Sequence, residues 1–465
     1  MVDNKRSMKI STEDKKFYKM LLTIAVPMMI QNGLSNFVSL LDNLMIGSCG
    51  TNAISGVAIS NQLIFVFYLL IFGATAGVGI FTAQYHGKGD VEGVRYTFRF
   101  KLVANTILSI LSVAFFMFFA PLLISQFLKG EGSPEDAAET LKIGTQYMNI
   151  MIVGLIPIGL TNAYAGTLKD IGATKVPMIA SITAIFVNLI GNALLIYGIW
   201  IFPEMGASGA AVATVISRFV ELGFLMIYTG TRSSKFAFIK GAFKGFTVPA
   251  RLVKTFIPKV LPLMANETLW ALGQTMLNQS YSYRSLDAVA ALNIESTVWN
   301  LLGVAFLAMG EAVGIVMGHI LGGGEEKDVT GKAIKMRNFT ILCGLICAVL
   351  LAVISPFFPL FYNTSSEIRA MATKFILIFA CLMPFYAHMH ASYFIIRSGG
   401  NTFVTFLFDS CFAWVIPIPV AFVLSRYTHM NVVPMVALVQ SLEVIKCFIA
   451  QYLVKSGIWA KNIVK

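Results

Sequence analysis

A chain of 465 residues, 57% hydrophobic and only 12% Asp, Glu, Lys or Arg, lacks the roughly one-quarter charged residues that water-soluble domains carry, so a soluble enzyme is excluded. The mean hydropathy of +0.75, set against about 20 apolar residues per helical bilayer span, leaves room for about a dozen spans and no large domain outside them. The net charge of +12 lies in short stretches between apolar segments rather than on one face, which reads as membrane topology and excludes a nucleic-acid surface.

The opening residues, Met1 to Met20, are charged, and the apolar stretch after them ends in no small-residue cleavage site, so the first helix is read as retained. Apolar runs bounded by charge, Gly or Pro predict spans near 20–46, 58–83, 102–127, 143–167, 177–201 and 207–230. Six more are predicted near 256–281, 290–318, 339–361, 370–396, 403–425 and 432–454. The fold class is all-α: a polytopic membrane protein of twelve transmembrane helices in two six-helix lobes. With both termini cytoplasmic, most of the 35 Lys and Arg residues fall on the cytoplasmic side of a plasma (inner) membrane, as the positive-inside rule requires. Only Arg218 and Lys446 are read as basic residues inside spans. The longest connection divides the chain into lobes at 1–231 and 255–465, and its basic residues predict an amphipathic linker over 232–254 resting on the anionic leaflet. The six cysteines include no C-x-x-C pair, and neither a disulfide framework nor a zinc site is indicated.

An internal repeat supports the division. A shift of 235 residues carries Pro27 onto Pro262, Leu34 onto Leu269, Gly79 onto Gly314, Ile80 onto Ile315 and Gly87 onto Gly322. A shift of 228 lays Lys169-Asp170-Ile171-Gly172-Ala173-Thr174 on Arg397-Ser398-Gly399-Gly400-Asn401-Thr402. Six spans per half keep the halves in one orientation, so their pseudo-two-fold axis lies along the membrane normal, and such repeats mark transporters with a substrate path between the halves.

Ionisable groups inside spans cost several kcal/mol unless they face a partner or a cavity. Asp42 falls in the outer half of the first helix. Asn188 and Asn192, four apart, project from one face of the fifth, and Thr214 opens the sixth. A carboxylate, amide carbonyls and a hydroxyl are hard oxygen ligands for an alkali cation, and the carboxylate alone can take a proton. Glu267 is near mid-membrane in the seventh helix. With Asn32, Asn36, Glu295 and His388 it is the candidate lining of a substrate cavity, while Glu311, His390 and Asp409 either line the path or pack on neighbours. Arg218/Glu221 and Glu443/Lys446, each three apart, read as self-neutralising pairs.

Taken in order, Leu41-Asp42-Asn43-Leu44-Met45-Ile46-Gly47, the Gly87-Lys88-Gly89-Asp90 turn, Lys169 to Pro177, the Asn188/Asn192 pair, Gly206 to Thr214 and Arg397 to Thr402 resemble the multidrug and toxic compound extrusion (MATE) family of the multidrug/oligosaccharidyl-lipid/polysaccharide exporter superfamily. The resemblance implies that Asp42, Asn188, Asn192 and Thr214 form the N-lobe coupling site, for H⁺ or, with Asp42, Asn188 and Asn192 as ligands, for Na⁺. It also implies efflux of small organic, cationic and lipophilic substrates by a bilayer-embedded monomer with no cofactor beyond the coupling ion. The seventh-helix glutamate matches with an offset of about one turn, and the tenth-helix acid of some members has no counterpart, Tyr386, His388 and His390 standing there instead. The alternative is a lipid-linked oligosaccharide flippase, which needs cationic cavity residues for a pyrophosphate; two in-span cations disfavour it.

Overall fold

The computed structural model describes residues 12–128, 133–245, 247–324 and 328–465; residues 1–11 and Glu325 lie outside these. The N-terminal half forms α1 (Thr12–Gly47), α2 (Thr51–Lys88), α3 (Val91–Phe127), α4 (Pro134–Asp170), α5 (Lys175–Ile196) and α6 (Ala207–Thr231). The C-terminal half continues with α7 (Ala250–Ser282), α8 (Leu286–Gly322), α9 (Val329–Ile354) and α10 (Ser366–Ser398). At about 1.5 Å per residue, the 38 residues of α2 reach well beyond a hydrocarbon core of about 30 Å, so α2, like α1, α4, α7, α8 and α10, extends past both ends of its predicted span, whereas α3 starts earlier but ends where predicted, and α5 and α9 end short of 201 and 361. Their ends follow local chemistry. Gly89 takes the left-handed φ of 78° that closes α2, the next residue, Asp90, accepts the Gly93 N–H to start α3, and Ser133 before Pro134 caps α4 in the same way.

Among the described residues, eleven spans are long and apolar enough to cross a bilayer, and α7 is the twelfth by its 33-residue length. Asn266, Glu267, Gln274, Asn278 and Gln279 lower its hydropathy. The eleventh and twelfth spans are not continuous helices. The eleventh runs as α11 (Thr402–Phe406), a π-turn at Leu407–Cys411, α12 (Phe412–Val415) and α13 (Pro417–Tyr427); the twelfth is split into α14 (Val432–Ser441) and α15 (Val444–Ser456). The π-turn has a visible cause: the Ser410 N–H donates to Asn266 Oδ1 at 3.3 Å and its hydroxyl donates to the same oxygen at 2.8 Å, which draws the turn open. Pro417, which has no N–H and crowds the preceding turn, accounts for the second break.

Within each half the helices pack around the second and fourth spans, and α1 and α7 cross to the opposite half. Leu21, Ile24, Ala25 and Met28 of α1 share a core with Ala308, Met309 and Ala312 of α8. In the mirrored contact a Cβ at Gly73 or Gly77 would lie 2.7 Å from the Cα of Met264 or Val260 in α7, so the α2–α7 approach requires glycine. The C-terminal tail lies at the end of α8, where Asn462 Nδ2 donates to the Leu321 carbonyl at 2.9 Å. Thr174 donates to the Thr23 carbonyl of α1 beside the end of α4, so the start of α1 and the C-terminus are on one face.

Between α6 and α7 lies the linker expected to rest on the leaflet. It is a short 3-10 turn (Ala237–Ile239) with buried Phe236, Phe238 and Ala242, docked on α3 by Arg99, whose guanidinium donates to the carbonyls of Ala242, Gly241, Lys244 and Thr247 at 2.6–3.2 Å. Those carbonyls face a cation rather than helical N–H groups, which holds the segment out of a helix. Arg99→Ala removes charge-assisted bonds of about 1.5–3 kcal/mol each. The expected result is trypsin cleavage after Lys240 or Lys244 at least about tenfold faster than in the parent; equal cleavage rates would contradict this docking.

Candidate functional site

Asp42 stands five residues before the end of α1, on the side opposite the start of that helix and the C-terminal tail. The Asn192 amide donates to its Oδ1 at 2.7 Å. With the Asn188 amide oriented to suit its neighbours, its NH₂ donates to both Asp42 oxygens at 3.2 Å and its oxygen accepts from the Thr214 hydroxyl at 3.1 Å. Helical geometry makes this possible: residues four apart on α5 lie one above the other, so both amides meet a carboxylate on α1. Asn188 and Asn192 are buried, Asp42 and Thr214 partly so. No Lys or Arg of the described residues is in ion-pair contact with Asp42, and the Asn192 carbonyl oxygen is buried without a partner.

That donor set suits either ion. No cluster of three His, Cys, Asp or Glu occurs among the described residues, so Na⁺ would be held by Asp42 with the amide and hydroxyl oxygens of Asn188, Asn192 and Thr214. The unpartnered Asn192 oxygen is already available, whereas Asn188 must rotate its amide. A proton needs Asp42 alone.

Behind this pocket a polar chain crosses the lobe: Gln31 of α1 donates to Ser181 at 2.7 Å, Ser181 donates to Glu221 at 2.6 Å, and Glu221 pairs with Arg218 at 2.9 Å. The other lobe repeats the layout with different charges. Asn266 of α7, 235 residues after Gln31, donates to Asp409 at 3.1 Å; Asp409, 228 after Ser181, pairs with Lys446 at 3.2 Å, and Lys446 pairs with Glu443 at 2.7 Å. Both predicted i,i+3 pairs therefore exist, and the π-turn is what directs Asp409 toward Lys446.

Between the lobes lies a small cavity of about 100 Å³, enough for a few waters. Its walls are Phe72, Thr75 and Ile80 of α2, Lys169 and Asp170 of α4, Glu311 of α8, and Phe394 and Arg397 of α10. Of the acidic candidates only Glu311 lines it; Asn32, Asn36, Glu267, Glu295 and His388 do not. Glu267 is half-buried beside Asn266. Glu295 is buried with Oε1 unpaired. Asn36 donates across the lobes to the Asn300 carbonyl at 2.9 Å. His388 is nine residues from Arg397, half a revolution round α10 at 100° per residue, and so faces away from this cavity; His390 bonds the Leu307 carbonyl at 3.1 Å.

Sequence reasoning missed Lys101. The third span was read as starting one residue later, yet Lys101 is fully buried and its ammonium contacts Asp170 at 2.5 Å. Arg218 and Lys446 are therefore not the only cations of the interior: Arg397 is only 7% exposed at the cavity wall. A signal was present. Thr97, Lys101, Asn105 and Ser109 recur every four residues, a polar stripe on one face of α3, and all four are buried against α2 and α4.

A family model described as MatE matches residues 27–194 and 262–423. The chain is 26% identical to the "Probable multidrug resistance protein NorM" of Thermotoga maritima, covering 89% of this chain and 87% of that one. It is 25% identical to the "Multidrug resistance protein NorM" of Vibrio cholerae, covering 90% of each. Its fold superposes on a solved structure titled "Outward-facing conformation of a multidrug resistance MATE family transporter of the MOP superfamily" with a TM-score of 0.82 at 18% identity, over 95% of this chain and 96% of that one. The Vibrio cholerae MATE transporter VcmN matches with a TM-score of 0.84 at 16% identity, over 97% and 99%. Because the family model covers matching blocks in both halves of the repeat, with Asp42 and the two asparagines inside the first, the chain belongs to the MatE family of multi-pass membrane transporters.

Proposed function

We propose that this protein exports small organic compounds from the cytoplasm, driven by an inward Na⁺ or H⁺ gradient that acts at Asp42, Asn188, Asn192 and Thr214. The observation that carries the reading is Asp42, a partly buried carboxylate within one lobe, held by two amides and free of any ion-paired cation among the described residues. Such a group is costly to enclose while charged, and a bound cation or proton removes the charge. The lobe therefore repacks differently with and without the ion, which is the differential affinity that coupling requires. The termini and the linker are on the cytoplasmic face, as the excess of Lys and Arg there favours, and one chain carries both lobes of the path, so it acts as a monomer.

The cavity walls carry Asp170 and Glu311 against Lys169 and Arg397, between apolar and aromatic side chains. Mixed charge on an apolar surface supports organic ions as cargo over a pyrophosphate-linked lipid, which needs a net cationic site. Under this reading Glu267 adds negative charge to the path once the lobes part. Glu267→Gln is expected to lower export of a cationic dye about tenfold at matched expression; export equal to the parent makes the residue structural. Proteoliposomes with separately imposed gradients test the ion. Asn192→Ala is expected to weaken Na⁺-driven export more than H⁺-driven export, because only the metal ion needs several oxygens, and an equal loss under both gradients would remove the amide from cation binding.

A further inference from the structure

The lobes meet most closely where α2 crosses α8 near the face that bears the termini, and the contact obeys the 235-residue repeat. A Cβ at Gly318 would lie 2.7 Å from the Ala83 Cβ, one at Gly87 would collide with the His319 carbonyl oxygen, and one at Gly322 with that of Gln84. Ala83 and Gly318, Gln84 and His319, and Gly87 and Gly322 are each repeat partners, so the crossing is a pseudo-two-fold contact brought close by glycine.

The two long polar side chains at this crossing reach over it in matching directions. Gln84 Nε2 donates to the Ser398 carbonyl at the end of α10 at 2.9 Å. His319 Nε2 meets the Asp170 carbonyl at the end of α4 at 2.6 Å, and because a carbonyl only accepts, that nitrogen carries the proton. Asp170 and Ser398 are themselves partners under the 228-residue repeat. Gln84 is fully buried and also holds the C-terminal tail, donating to the Lys461 carbonyl at 3.0 Å and accepting from the Ile463 N–H at 2.8 Å. Every one of these bonds spans two lobes or ties the tail across them, and none survives a separation of the lobes on this face.

We propose that Gln84 and His319 are a pseudo-symmetric pair of latches, positioning residues that hold the transporter closed on this face and set the ratio of its two access states. The inference rests on the export reading above, in which the path opens to one face at a time, but its test uses neither substrate nor gradient. A buried amide or imidazole that loses its carbonyl partner gives up one hydrogen bond, which shifts a two-state ratio about fivefold.

The test places one cysteine at Ala76, on the cavity wall beyond the latches, in a background whose six native cysteines are replaced, and follows its reaction with a membrane-impermeant maleimide added from the latch face in inside-out vesicles. Lys244→Cys, on the exposed linker of the same face, reports access to that face and an intact fold. His319→Ala is expected to raise the Ala76→Cys labelling rate about fivefold, and Gln84→Ala, which gives up three such bonds, by more than that. His319→Gln is expected to keep the parent rate, since the amide is what the repeat partner uses to make the same bond. A general loosening of the fold would raise the rate in all three variants. Unchanged labelling in both alanine variants, or His319→Gln labelling as fast as His319→Ala, overturns the latch. If labelling responds as expected while no organic compound is exported, the transport reading fails and the latch stands.

Discussion

Asp42→Asn is expected to reduce gradient-driven export to the level of empty proteoliposomes, a loss of at least about tenfold under either ion, while the protein stays folded and inserted. The amide is nearly isosteric and still accepts from Asn192, so the α1–α5–α6 pocket stays packed. What it loses is the change of charge: it cannot take up and release a proton, and it offers a cation one oxygen instead of two. A lobe whose pocket is permanently neutral has no ion-dependent preference for either access state, and a ligand that binds both states equally shifts nothing. Efflux of a dye from proteoliposomes under imposed Na⁺ and H⁺ gradients measures this, and undiminished transport by Asp42→Asn would remove the site from coupling.

The largest expected stability effect lies at Lys101 and Asp170. The Lys101 side chain is fully buried and that of Asp170 is 17% exposed, so removing the lysine leaves a carboxylate enclosed without its cation. Lys101→Met should cost about 3–5 kcal/mol, read as a lowered unfolding temperature of the purified protein in detergent. Lys101→Met combined with Asp170→Asn removes both charges and should recover more than half of that loss, because an enclosed ion pair costs about as much to desolvate as it returns. A single variant as stable as the parent, or a double variant no better than the single, would show that the contact contributes little.

Much of the N-lobe site was legible because its members obey local rules. Asn188 and Asn192 share a face by four-residue spacing, and Asp42 is conspicuous as a carboxylate in an apolar run. The C-lobe network was half legible: Glu443 and Lys446 pair at i,i+3 as expected, but Asp409 joins them only because Asn266 opens a π-turn from another helix. Lys101 escaped because a lysine at the end of an apolar run looks like an interfacial anchor until the helix is seen to continue ten residues before it.

Hydropathy and punctuation act along the chain, so the sequence by itself marked the twelve spans and the turn over Gly87 to Asp90, while the caps at Gly89, Asp90 and Ser133 appear only in the structure. The sequence also determined which residues share a face within one helix, since 100° per residue is a local property. Only the tertiary structure decided partners between helices: Asp42 with Asn192 at a separation of 150 residues, Lys101 with Asp170 at 69, and Gln84 with Ser398 at 314. Those depend on the depth and rotation at which helices pack. Between the lobes that depth and rotation are set by close approaches at Gly73, Gly77, Gly87 and Gly322, where the backbones themselves touch and a shift of one turn would separate Gln84 from Ser398.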